Sequence, residues 1–88
     1  MSDNQGVVIL VIEGSRGDYI SFSEELRRKG YQVQKASSGR AGLDVMEDLQ
    51  PHAVVVDAAS MRTNGIRICK SLRISNSDLP IILIIEKD

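Results

Sequence analysis

In VVVDAASMRTNG, residues 54–65, three valines lead to Asp57 and a polar loop follows. A short run of β-branched residues without polar alternation is typical of a strand buried on both faces. A carboxylate at the end of such a strand has two interpretations: it caps the turn that follows, or it belongs to a functional site. The surrounding sequence has to distinguish them.

Three more strands are predicted around this one, two apolar throughout and one alternating as a half-exposed edge strand does. They are Val7–Ile12, Leu79–Ile85 and Tyr31–Lys35. Helical spacing of apolar residues predicts three helices between the strands. These run from Asp18 to a stop at Gly30, from a cap at Ser38 to Pro51, and from Gly65 to Arg73. The order βαβαβαβ predicts an α/β fold with a parallel sheet, right-handed crossovers and helices on both faces.

The carboxyl ends of the first and third strands are the expected place for a site. Ligands of open parallel sheets bind at the carboxyl ends of the strands, near the point where the strand order reverses. Glu13 and Asp57 are the residues that fall there. This placement favours a site role for Asp57.

Length, charge and cysteine count narrow the class of protein. The 88 residues predict one small domain over residues 1–88. A net charge of -1 argues against nonspecific nucleic-acid binding. The single cysteine, Cys69, excludes an internal disulfide and a multi-cysteine metal site, and it fits a reducing cytosol. No apolar run is long enough to span a bilayer, so we expect a cytoplasmic domain without a membrane contact.

An ordered set of segments resembles the receiver domain (CheY-like) of bacterial two-component response regulators. The segments are VVILVIEG at 7–14, ELRRKGYQV at 25–33, ASSGRAGLDVMEDLQPHAVVVD at 36–57, NGIRICKSLR at 64–73 and LPIILIIEKD at 79–88. The family has a flavodoxin-like sheet in the order 2-1-3-4-5. The resemblance therefore implies the order 2-1-3-4 here, with the fifth strand absent, and a non-enzymatic role in phosphorelay signal transduction.

The resemblance also implies roles for single residues. Asp57 falls on the family's phosphorylated aspartate, and Glu13 and Gly14 fall on the acidic pair that holds Mg²⁺. Ala59 falls where a backbone carbonyl completes the ligands of the metal. Ile85 falls where the family has a Ser or Thr that senses the phosphoryl group.

Two of these positions, and the end of the sequence, depart from the family pattern in ways that bear on the chemistry. Gly14 has no carboxylate, which leaves Glu13 and Asp57 as candidate side-chain ligands for Mg²⁺. Ile85 cannot hydrogen-bond a phosphoryl oxygen, and the family's lysine at the end of a fifth strand has no counterpart up to Asp88. Phosphoryl transfer depends on neutralising charge on the equatorial oxygens, so much of that stabilisation is missing.

We therefore expect a degenerate receiver, or pseudo-receiver, that acts through protein partners and requires no cofactor. The alternative is a working phosphoacceptor, modified on Asp57 by a histidine kinase with Mg²⁺. A flavodoxin-like cofactor binder is a more remote alternative, because the loop after the first strand lacks the Ser and Thr density of a phosphate-binding loop.

The last predicted strand has a long apolar edge that no later strand of this sequence covers. Such an edge is a template for pairing with another chain. Either the sequence is a fragment of a longer chain, or a second copy covers the edge. The second case predicts a homodimer with Ile81, Leu83 and Ile85 as candidate contact residues. The expected signalling partner is a histidine kinase or an output domain.

Overall fold

The computed structural model of the chain describes residues 5–15, 20–61 and 63–86. Within these ranges, strands and helices alternate along the chain. Their bounds are β1 Val8–Glu13, α1 Phe22–Arg28, β2 Gln32–Ala36, α2 Gly39–Leu49, β3 Ala53–Asp57, α3 Ala58–Met61, α4 Ile66–Ser75 and β4 Ile81–Ile84.

The four strands form one parallel sheet in the order β2-β1-β3-β4. This is the predicted topology, and the flavodoxin-like fold class is confirmed. β1 and β3 are the two central strands, and Glu13 at the end of β1 is the register partner of Asp57 at the end of β3. Because β1 and β3 are parallel neighbours, the two carboxylates lie together at the carboxyl ends of the strands.

Two apolar clusters cover the two faces of the sheet, because successive strand side chains point to opposite sides. One cluster joins side chains of β1 and β3 to α2 and α4; its buried members include Leu10, Ile12, Val54, Val56, Met46 and Leu72. The other cluster contains Ile9, Val11 and Val55, with Phe22 and Leu26 of α1 packed against it. The central strands are therefore buried on both faces, as their unbroken apolar runs predicted.

The first helix begins later than predicted. The expected start at Asp18 lies outside the described residues, and α1 begins at Phe22 after the N-cap residue Ser21. The spacing of Ser21 and Glu24 is that of a capping box, which marks a helix start in sequence. Ile20, which falls inside the predicted helix, lies before the observed one and is 71% exposed.

The last strand is shorter and less buried than predicted. β4 comprises four residues rather than the expected seven, and the prediction of burial on both faces is wrong. Ile82 is 55% exposed and Leu83 is 36% exposed, because β4 pairs only with β3 in the described sheet.

A short helix that the sequence analysis did not predict follows β3 directly. The expected polar loop after Asp57 begins instead with α3, whose residues Ala58, Ala59 and Ser60 are all buried. At the start of α4, Gly65 has φ of 75°, a left-handed conformation that favours glycine.

No helix in the described part of the chain has the length and apolar character needed to cross a membrane.

Candidate functional site

Two buried carboxylates lie side by side at the carboxyl edge of the sheet. Glu13 is 2% exposed and Asp57 is 1% exposed. Both end a central strand, and they face each other in the β1–β3 register. Burying a carboxylate costs free energy unless hydrogen bonds compensate, so the donors around each one define what the site can do.

Glu13 is bound to the start of α1. Its Oε1 accepts a hydrogen bond from the Ser23 backbone N–H at 2.9 Å and a longer one from Ser21 Oγ at 3.4 Å. The first N–H groups of a helix have no partner within the helix, and negative charge is favourable at that end. The Glu13 carboxylate therefore satisfies and holds the N-terminus of α1. Ser23 was not among the predicted site residues.

One carboxylate oxygen of Asp57 accepts a hydrogen bond, and the other has no partner among the described residues. Its Oδ1 accepts a hydrogen bond from the Ser60 backbone N–H at 3.3 Å, which is the geometry of an N-cap residue at the start of α3. Its Oδ2 is buried and has no hydrogen-bond partner among the described residues. The residue thus caps the following turn, one of the two interpretations of its position, and also retains an available oxygen.

Ser60 connects the two strand ends. It is 4% exposed, and its Oγ accepts a hydrogen bond from the Gly14 N–H at 2.8 Å and donates one to the Asp57 carbonyl at 2.9 Å. Sequence reasoning missed this residue. The signal that could have found it is the spacing from Asp57 to Ser60, that of an N-cap and the third helical residue.

Gly14 lies against the backbone of the β3–α3 turn. A Cβ atom at this position would meet the Ser60 carbonyl oxygen first, and would lie 2.9 Å from the Ser60 carbonyl carbon and 3.2 Å from Met61 Cα. Contacts this close to backbone atoms require the turn to move. The position therefore has no room for the second acidic side chain of the family pattern.

The residues present do not fit a Mg²⁺ site. Mg²⁺ demands near-octahedral oxygen ligation, usually from one or two carboxylates with waters and phosphate. Asp57 Oδ2 is the one carboxylate oxygen shown to have no partner among the described residues; Glu13 Oε1 is bound to α1, Asp57 Oδ1 is bound to α3, and Gly14 supplies no side-chain ligand. Ala59, the candidate carbonyl ligand, lies within α3 and is 5% exposed. Over residues 5–15, 20–61 and 63–86, no three His, Cys, Asp or Glu side chains group closely enough to hold a metal ion.

Ile85 and the β4 residues are outside this hydrogen-bonded cluster. Ile85 follows β4 and is 64% exposed, and with Thr63, Leu83 and others it lines an open cavity of about 480 Å³. Of the candidate dimer contacts, Leu83 is exposed, whereas Ile81 is half-buried and packs on the larger core. The most exposed side chain of β4 is that of Ile82.

Cys69 takes no part in the carboxylate site. It lies on α4 and packs against the larger apolar cluster. Burial raises the pKa of the Cys69 thiol, an effect that the nearby Arg73 partly offsets. A thiol of this kind is a weak nucleophile, because the thiolate is the reactive form.

The fold and the site together define a flavodoxin-like α/β domain with paired acidic residues at the carboxyl edge of its sheet. Residues 9–88 match the family model of the response regulator receiver domain, and the chain belongs to that family. It is 37% identical over 82 residues to the response regulator MprA of Mycolicibacterium vanbaalenii, a match that covers 93% of this chain and 36% of MprA. The response regulator MprA of Mycobacterium bovis strain BCG is 34% identical over the same length. The chain spans about a third of the length of these curated relatives.

Proposed function

We propose that this receiver domain is a pseudo-receiver, which acts in two-component signalling through protein–protein contacts with little or no phosphorylation. The observation that carries the proposal is the internal use of the groups beside Asp57. Glu13 is bound to the start of α1, and the space next to Gly14 is filled by the Ser60 backbone. In this proposal the domain catalyses no reaction, needs no cofactor and works in the cytoplasm, where Cys69 stays reduced.

Missing charge stabilisation supports the same proposal. Phosphoryl transfer depends on positioned groups that neutralise charge on the transferred phosphoryl oxygens. Gly14 provides no carboxylate for a metal, and the apolar side chain of Ile85 provides no hydrogen bond. A phosphoryl group on Asp57 would therefore lack both the stabilisation and the hydroxyl contact of the family pattern.

The second candidate function is a working phosphoacceptor, and one observation favours it. Asp57 Oδ2 has no donor within the described residues, so it is the oxygen available for a phosphoryl group from a histidine kinase. Asp57 is only 1% exposed, however, and a phosphodonor reaches it only if the β3–α3 turn opens. Burial of the acceptor aspartate therefore favours the pseudo-receiver.

Phosphorylation chemistry separates the two candidates. The protein is incubated with Mg²⁺ and acetyl phosphate, and its intact mass is measured; a parallel sample receives Mg²⁺ and beryllofluoride and is followed by NMR. We expect no covalent adduct and no shift of the Asp57 and Ser60 amide signals, because the site lacks the ligands that hold the metal. A receiver domain with the complete acidic pair, treated in parallel, controls for the reagents. A stoichiometric adduct that is absent from Asp57→Asn would establish the phosphoacceptor instead.

For the protein partner we propose a second copy of the chain, paired through β4. The support is the free hydrogen-bonding edge of β4 in the described sheet, together with the exposed side chains of Ile82, Leu83 and Ile85. A histidine kinase or an output domain remains the proposed signalling contact. The net charge of -1 does not favour a nucleic-acid partner.

The oligomeric state tests the β4 pairing. Light scattering is expected to give the mass of two chains for the parent protein, and Ile82→Lys is expected to shift it to one, because charge on an edge strand prevents pairing. Ile74→Lys is the matched control, since Ile74 is 87% exposed on α4 rather than on β4. A stable monomer of the parent protein would contradict the pairing.

A further inference from the structure

We infer that Ser60 closes the carboxylate site, so that supplying the missing acidic side chain at position 14 does not create a Mg²⁺ site. The inference rests on the proposed function, because it gives the physical reason why Asp57 lacks metal chemistry. It concerns how the β3–α3 turn is held, a property that depends on this chain's own residues.

The backbone N–H and the hydroxyl of Ser60 both form hydrogen bonds within the chain. Its N–H donates to Asp57 Oδ1, its hydroxyl donates to the Asp57 carbonyl, and the same Oγ accepts from the Gly14 N–H. The bond from the Gly14 N–H joins residues 46 positions apart, whereas the two bonds to Asp57 span three positions within the β3–α3 turn. Ser60 therefore holds the β3–α3 turn against the end of β1.

The steric part of the closure comes from backbone atoms. A Cβ at position 14 would meet the carbonyl oxygen and carbon of Ser60 and then Met61 Cα. A flexible side-chain tip can move aside cheaply, but the backbone of a buried turn cannot. Ala58, Ala59 and Ser60 are all buried, so moving α3 disturbs the packing around it.

The closure is a property of the Cβ position and not of charge. Alanine and aspartate at position 14 share the same Cβ and should meet the same obstruction. If the turn yielded easily, aspartate would place a carboxylate beside Asp57, and Mg²⁺ would then stabilise that variant by binding its folded form. The pair Gly14→Ala and Gly14→Asp thus separates an obstructed site from one that lacks only a ligand.

Thermal unfolding with and without millimolar Mg²⁺ is the test, with isothermal titration of MgCl₂ into each variant. We expect Gly14→Ala and Gly14→Asp each to lower Tm by roughly 5 to 15 °C, and Mg²⁺ to raise the Tm of neither. A Gly14→Asp protein that keeps the parent Tm, or whose Tm rises with Mg²⁺ while that of Gly14→Ala does not, would overturn the inference.

A second variant keeps the inference testable if the position 14 variants do not fold. Ser60→Ala removes the acceptor of the Gly14 N–H, and amide exchange at Gly14 is expected to accelerate about tenfold or more. Ser75→Ala is the matched control, because Ser75 is exposed and its Oγ donates only to the Ser71 carbonyl. An unchanged Gly14 exchange rate in Ser60→Ala would overturn the inference.

The failure of this inference can be distinguished from failure of the proposed function. An Asp57 adduct in the parent protein would overturn the pseudo-receiver proposal, while the Tm and exchange results would still decide whether Ser60 obstructs position 14. Conversely, an unobstructed position 14 in a protein that forms no adduct would leave the pseudo-receiver proposal standing.

Discussion

Replacing Leu72 by alanine is expected to lower the free energy of unfolding by about 3 kcal/mol and Tm by more than about 10 °C. Leu72 is the fully buried residue of α4 and belongs to the larger apolar cluster, with Val54 and Val56 of β3. Truncating such a side chain loses its transfer free energy and leaves a cavity that the surrounding strands fill only partly. In an 88-residue domain this is a large part of the total stability.

Urea unfolding followed by circular dichroism measures this effect, with the slope of the transition as a check on two-state behaviour. Ile74→Ala is the matched control, because Ile74 lies two residues later on the same helix and is 87% exposed. We expect the control to change the free energy of unfolding by less than about 0.5 kcal/mol. Equal losses in the two variants would show that α4 does not pack through Leu72.

Glu13→Ala is expected to lower the free energy of unfolding by about 2 to 3 kcal/mol, the second largest effect among the substitutions proposed. The substitution removes the acceptor of the Ser23 N–H, leaves that buried donor unpaired and opens a cavity at the start of α1. Glu13→Gln keeps an acceptor oxygen in place and loses only the charge at the helix N-terminus. We therefore expect it to lower the free energy of unfolding by about 1 kcal/mol. The difference between the two variants measures the hydrogen bonds and side-chain packing of Glu13 separately from its charge.

Glu24→Ala controls for the general effect of acidic residues in the first turn of α1, because Glu24 is exposed there. We expect this control to lower the free energy of unfolding by less than about 1 kcal/mol. A Glu13→Ala protein that unfolds at the same urea concentration as the parent would mean that the carboxylate does not hold α1. The Ser23 contact would then be incidental, and Glu13 would be available for another role.

The role of Glu13 bears directly on the proposed function. Oε1 of Glu13 already holds the start of α1 through the Ser23 N–H, so Glu13 can ligate a metal without losing that hydrogen bond only through its other carboxylate oxygen. In this chain the position of the family's first acidic residue is therefore occupied by a structural carboxylate. Asp57 caps α3 with one oxygen in the same way, and only its Oδ2 is left without a donor.

Much of the fold was predictable because its signals are local. The apolar runs of β1 and β3 predicted strands buried on both faces, and the strand–helix alternation predicted the parallel sheet. The start of α1 at Ser21 was missed although the capping spacing was present in the sequence. The four residues of α3 are too few for a periodic pattern, so hydrophobic periodicity could not have shown them.

Local periodicity in the sequence was enough to predict the strand–helix alternation and a parallel sheet, because it follows from local sterics, and the resemblance to the receiver family supplied the strand order that puts Glu13 beside Asp57. The partners of each carboxylate depend on the folded chain. The Gly14–Ser60 bond spans 46 positions and the Glu13–Ser23 bond spans 10, and neither spacing is a helical or strand repeat. Such contacts exist only once the sheet has brought the turns together, which is why the sequence could locate the acidic site but not show that Ser60 occupies it.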